Sequence, residues 1–151
     1  MPGYKAHLAG GLVVAVPMLY LLRHQAGSPG MMGVWLGFAL AGALFPDIDT
    51  TSKGQKWFFR FWLLVLLLLL LFKQYALFIA SALLATAPLI VNHRGIFHKS
   101  WFLIVVPCCV AAIFAWYMPE QWKNIFFITL FFVVGTLSHL FLDFGPKRMF
   151  R

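Results

Sequence analysis

His139 and Asp143 stand four residues apart in Ser138-His139-Leu140-Phe141-Leu142-Asp143, the spacing that puts two side chains on one face of a helix. An imidazole and a carboxylate so placed can grip one cation together, or the carboxylate can orient the imidazole from behind. The plainer alternative is a His–Asp hydrogen bond at a helix end. Asp47 and Asp49 flank Ile48 directly after Pro46. A proline there ends the preceding helix, and paired carboxylates suit hard or borderline cations, although an ordinary acidic turn uses the same residues. His93 and His98 lie on either side of Arg94-Gly95, where glycine allows a tight turn; the alternative is a pair of solvated histidines. His7 stands alone at the head of the first apolar run. These positions use three of the chain's 4 acidic residues and four of its 5 histidines. Divalent metal binding is the chemistry they share, and His24 and Glu120 are left as solvated loop residues.

Such groups are costly in an apolar medium, and this chain is 62% hydrophobic, only 11% charged, with a mean hydropathy of +0.87. Soluble domains carry about a quarter charged residues, so the composition points to a polytopic membrane protein. Apolar runs fall at His7–Leu22, Met31–Phe45, Phe58–Phe72, Tyr75–Val91, Trp101–Tyr117 and Ile125–Leu142. Each is a little short of the ~20 residues of a full span. Tyr4, Trp57, Trp101, Trp116, Tyr117 and Trp122 flank them as interfacial anchors. The first run passes through Pro17 and Tyr20 without a small-residue cleavage site, so it is expected to remain as a first span. The expected fold is an all-α transmembrane bundle of about six short spans, a single domain over residues 1–151, with a metal site at one membrane face.

The net charge of +8 comes from basic residues at segment ends, the pattern of headgroup anchors rather than of a nucleic-acid surface. Adjacent Cys108 and Cys109 rarely meet disulfide geometry and are expected to pack in the core. The stretch 57–91 is too long for one helix, and Lys73-Gln74 at its centre would be costly at mid-bilayer. A hairpin turning at Lys73-Gln74 is therefore expected. With six spans, His7, Asp47, Asp49, His93, His98, His139 and Asp143 all fall on one face. That face also carries nine of the 12 Lys and Arg residues, leaving Arg23, Lys73 and Lys123 opposite, which predicts cytoplasmic termini and a cytoplasmic site.

Phe45-Pro46-Asp47-Ile48-Asp49, His93-Arg94-Gly95 with His98 and Ser100, and Ser138-His139 with Asp143 together resemble the YdjM-like family of membrane-bound metal-dependent hydrolases. Its members are found in bacterial inner membranes and in archaea. The family's leading histidine is matched by His7. Thr50 replaces a histidine that closes the Asp-Ile-Asp block, Phe97 replaces a threonine, and Lys99 separates His98 from Ser100. The resemblance implies a hydrolase on a helical bundle, with ligand types similar to those of zinc-dependent phospholipases C.

On this reading, zinc, or alternatively manganese or magnesium, is held by His7, Asp47, Asp49, His93, His98, His139 and Asp143. Asp49 is the preferred general base. Arg94 and Lys99 hold an anionic group, which makes a phospholipid or another phosphoester at the membrane surface the expected substrate and membrane lipids the expected partners. The competing reading is a membrane metal-binding or transport protein without hydrolysis, and a purely structural membrane protein is the third. Transport sites sit on broken helices near the midplane, whereas the middles of the six runs lack His, Asp, Glu, Lys and Arg.

Overall fold

The computed structural model describes residues 3–49, 52–90 and 96–146, without the side chains of residues 49, 76–77, 80, 84, 87–90 and 96. The six apolar runs become α1 (Tyr4–Leu22), α2 (Pro29–Leu44), α3 (Lys53–Leu71), α4 (Tyr75–Ile90), α5 (Ser100–Tyr117) and α6 (Trp122–Phe144), and no strand occurs among the described residues. Five helical segments are long and apolar enough to cross a membrane, α2 counted with the turn that carries it on to Ile48; α4 has 16 residues. Local chemistry fixes several ends. The Ser28 hydroxyl accepts the Met31 amide at 3.2 Å ahead of Pro29, and the Ser52 hydroxyl accepts the Gln55 amide at 3.0 Å. Each satisfies an orphan donor of a helix's first turn. Gly145 closes α6 at φ 68 and ψ 172, a conformation essentially reserved for glycine.

The chain forms two compact units, Met1–Pro46 with Phe97–Arg151, and Asp47–Ile96. The second unit is the expected hairpin of α3 and α4. Lys73 adopts a left-handed backbone with φ 57, and the amides of Lys73 and Gln74 donate to the carbonyls of Leu70 (3.0 Å) and Leu69 (2.8 Å). This is a Schellman closure, in which the left-handed position is usually glycine. The Trp62 indole N–H then donates across the hairpin to the Ser81 carbonyl at 2.7 Å.

In the first unit α1, α2 and α6 pack on one another, while α5 packs chiefly on α6. Gly42 and Gly135 explain how closely α2 and α6 approach. A Cβ on Gly42 would run into the Phe132 carbonyl oxygen, and one on Gly135 into the Ala39 carbonyl oxygen. In lipid, helix association gains little from the hydrophobic effect and depends on backbone proximity and van der Waals contact; two facing glycines supply both. Beside this seam Trp35, fully buried, stacks on Phe127 (4.6 Å) and Phe131 (5.4 Å), with Ala15, Ala26 and Ala39 completing the core. Cys108 and Cys109 correct one expectation: both are free and exposed on α5. Apolar residues of a membrane helix need no interior, because lipid solvates them as well as a core does.

Phe45 and Phe97, the residues beside the two breaks in the first unit's chain, make an edge-to-face contact at 5.8 Å. The chain thus leaves and re-enters this unit at one end. That end is where the polar residues collect.

Candidate metal centre

Two helix ends and one turn bring the polar groups of the first unit together. His7 lies at the start of α1, His139 and Asp143 in the last two turns of α6, and His98 closes a 3-10 turn, Ile96–His98, just before α5. The histidines are only 1%, 6% and 0% exposed for His7, His98 and His139. The rings of His7 and His139 stack at 3.8 Å with an interplanar angle of 15°, and His98 meets His139 edge-on at 5.8 Å. Asp143 answers both stacked rings. Its Oδ1 lies 3.6 Å from His7 Nε2, and its Oδ2 lies 3.5 Å from His139 Nε2. One donor atom each of His98, His139 and Asp143 falls within 4.8 Å of the others.

The tautomer of His139 follows from its other contact. His139 Nδ1 lies 2.7 Å from the Ala43 carbonyl oxygen, and a carbonyl can only accept, so Nδ1 carries the hydrogen. In a neutral imidazole, Nε2 is then left with its lone pair toward Asp143. Two acceptors facing each other at 3.5 Å repel unless a proton or a cation lies between them. Among the described residues neither oxygen of Asp143 has a hydrogen-bond partner, although both are buried. Donor types, convergence and tautomer therefore all fit a divalent cation, with the Ala43 carbonyl acting as the outer partner that orients a ligating histidine.

The Ala43 carbonyl is available for a local reason. After Leu44 the chain tightens into a 3-10 turn, Phe45–Asp49, and Pro46, three residues on from Ala43, has no N–H to offer in that register. Thr136 and Ser138, although buried, are turned back on their own helix, donating to Val133 (2.7 Å) and Gly135 (2.8 Å).

Asp47 is the first residue of the second unit, and its carbonyl accepts the Ser52 hydroxyl at 2.8 Å. Asp49 ends the same 3-10 turn, but its side chain lies outside what is described, as do His93 and Arg94. Lys99 is exposed and precedes the first residue of α5. His24 and Glu120 are exposed as expected. Phe97, where the family motif has threonine, is buried among aromatic rings, with Phe45 at 5.8 Å and Phe102 at 5.4 Å, so this departure serves packing beside His98. Sequence reasoning missed the Ala43 carbonyl and the glycines that bring it to His139. Gly42 and Gly135 did carry a signal, being small residues inside long apolar helices.

Comparison with curated proteins and with solved structures gave no match. A family model described as YdjM inner membrane protein matches residues 1–148. With membrane-length apolar helices and a buried His/Asp group able to hold a metal ion, the chain belongs to the YdjM inner membrane protein family.

Proposed function

We propose that this protein is an integral membrane, metal-dependent hydrolase acting on a phospholipid or another phosphoester at the membrane surface. The single observation carrying the reading is the buried facing of His139 Nε2 and the Asp143 carboxylate at 3.5 Å, with His7 and His98 against them. His98, His139 and Asp143 would hold the ion, with His7 beside Asp143. Asp47, one peptide bond beyond Pro46, and His93 extend the ligand set by the sequence motif. Imidazole and carboxylate donors favour zinc, with manganese or magnesium as alternatives. A bound divalent ion supplies Lewis acidity, which polarises the scissile group and eases deprotonation of water. The protein's own residues do the rest. Asp143 and the Ala43 carbonyl hold the rings of His7 and His139 in place. Asp49 takes the proton from the attacking water. Arg94 and Lys99 bind the anionic phosphate, Arg94 through its bidentate fork. The excess of Lys and Arg on the site's face of the membrane supports a cytoplasmic site and cytoplasmic termini.

The depth of burial favours one second reading, a closed structural metal site without turnover, since structural sites leave no open coordination position. Elemental analysis of the purified protein, before and after chelation, tests the common premise. His98→Ala and Asp143→Ala are expected to lose the bound metal; full retention overturns the site. Metal-loaded, folded protein is then assayed on phospholipids and chromogenic phosphodiesters. Turnover that disappears with the metal supports the hydrolase. A metal-dependent rise in melting temperature without turnover supports the structural site instead.

A further inference from the structure

On the other side of α6, α5 leaves a groove. Ser100 and Leu103 in the first turn of α5 are buried, so that end of the helix is seated. Further along, Cys108, Ala111, Ala112 and Ala115 present short side chains toward Trp122, Phe126, Thr129 and Val133 of α6. The gap between them is a cavity of about 490 Å³. From Ile104 to Ala115 it runs along about 16 Å of helix. It is lined by carbon almost throughout. One end of it lies at the Tyr117–Trp122 turn, where Trp122 is a wall residue and the Lys123 ammonium stands 5.8 Å from the Trp122 ring.

Lining, length and charge select the occupant. A helix from a second copy of this chain is the competing occupant, since a row of small residues elsewhere favours helix pairing. A single hydrocarbon chain suits a lining that is apolar almost throughout and ends beside a cation. The groove's length also matches one leaflet, half of a hydrocarbon core ~30 Å thick. The cation and indole at that end are the pair that meets a phosphate at the headgroup level.

We propose that the α5/α6 groove is a lipid site that holds one acyl chain of a phospholipid, with its phosphate beside Lys123 and Trp122. It is distinct from the His/Asp group: its nearest α6 residue, Val133, lies about 9 Å along the helix from His139. The lipid enters from the membrane face opposite that group and fills the void that the alanines leave. The proposal does not depend on the hydrolase reading, and loss of the metal leaves it untouched.

The full chain is reconstituted in vesicles of phosphatidylethanolamine and phosphatidylglycerol doped with a phospholipid carrying a diazirine at mid-chain. After irradiation, the labelled residues are mapped by mass spectrometry. Cys108, Ala111 and Thr129 are expected to be labelled roughly fivefold above Val110 and Ile113, which face outward from the same helix, an excess equivalent to ~1 kcal/mol of preferred occupancy. Ala112→Phe, which fills the groove, should bring that excess down to the outward level while leaving Val110 unchanged. Should this variant not fold, Ala115→Leu and the wild-type ratio decide. Even labelling of groove and outward residues means ordinary annular contact and overturns the proposal. So does an unlabelled groove in which Cys108 cross-links two copies of the chain.

Discussion

The two flanks of α6 differ in a way that accounts for much of this molecule. Toward α2, Gly42 and Gly135 bring backbone against backbone, and the seam ends in the buried His7, His139 and Asp143. Toward α5, small residues also face the helix, but bulky partners hold the two apart and a cavity remains. Small residues close a membrane seam only when both helices yield at the same level. When one helix offers alanines and the other Trp122 and Phe126, the result is a groove. The tight seam can bury a charged group because its backbone geometry is over-determined. The loose seam is left to apolar contact.

Breaking the tight seam should have the largest effect. Gly135→Val puts branched carbon against the Ala39 carbonyl and is expected to cost about 3 kcal/mol or more, with bound metal lost as Ala43 moves from His139. Thermal unfolding in detergent and metal analysis read both. A protein that melts normally and keeps its metal would mean that the seam is not what holds the site. Asp143→Asn keeps the shape but removes the charge facing two imidazoles. Metal affinity should fall by roughly 100-fold or more in competition with a chelator, with a melting shift only where metal is present. The loose seam should respond in the opposite sense. Ala115→Leu adds carbon to a void and is expected to change stability by less than ~1 kcal/mol, in the stabilising direction. A loss as large as that of Gly135→Val would show the two flanks to be alike.

A smaller test lies outside both seams. Lys73→Gly relieves a left-handed lysine and should stabilise the hairpin by roughly 1 kcal/mol, seen as slower proteolysis between α3 and α4.

The sequence was most legible where charge interrupts apolar runs. The turn at Lys73-Gln74 could be placed because a lysine at mid-span is costly, and the i, i+4 spacing of His139 and Asp143 already put them on one face. Lys123 and Trp122 were recognisable as anchors. Less could be read inside the spans, where residues are apolar all round and no periodic stripe marks an interior face. Trp35 has no sequence signal to separate it from the exposed Trp57 or Trp116, and Cys108 and Cys109 were placed inside for the same lack of contrast. That His7 stacks on His139 depends on α1 and α6 being neighbours, which no spacing encodes. The role of the Ala43 carbonyl depends on a missing proline N–H, a backbone property that side-chain motifs do not display.

The contact between Phe45 and Phe97 has an evolutionary consequence. Because the first unit's chain is cut and rejoined at a single clasp, the fifty residues of the second unit behave as an insertion whose entry and exit are fixed by two rings meeting edge to face. Such an insertion can be lengthened, shortened or exchanged without moving His139 or Asp143, provided that it returns to the side it left. Relatives of this chain should therefore differ most in length around the α3–α4 turn, and a chimera carrying a foreign hairpin between Phe45 and Phe97 should still assemble the His/Asp end of the bundle.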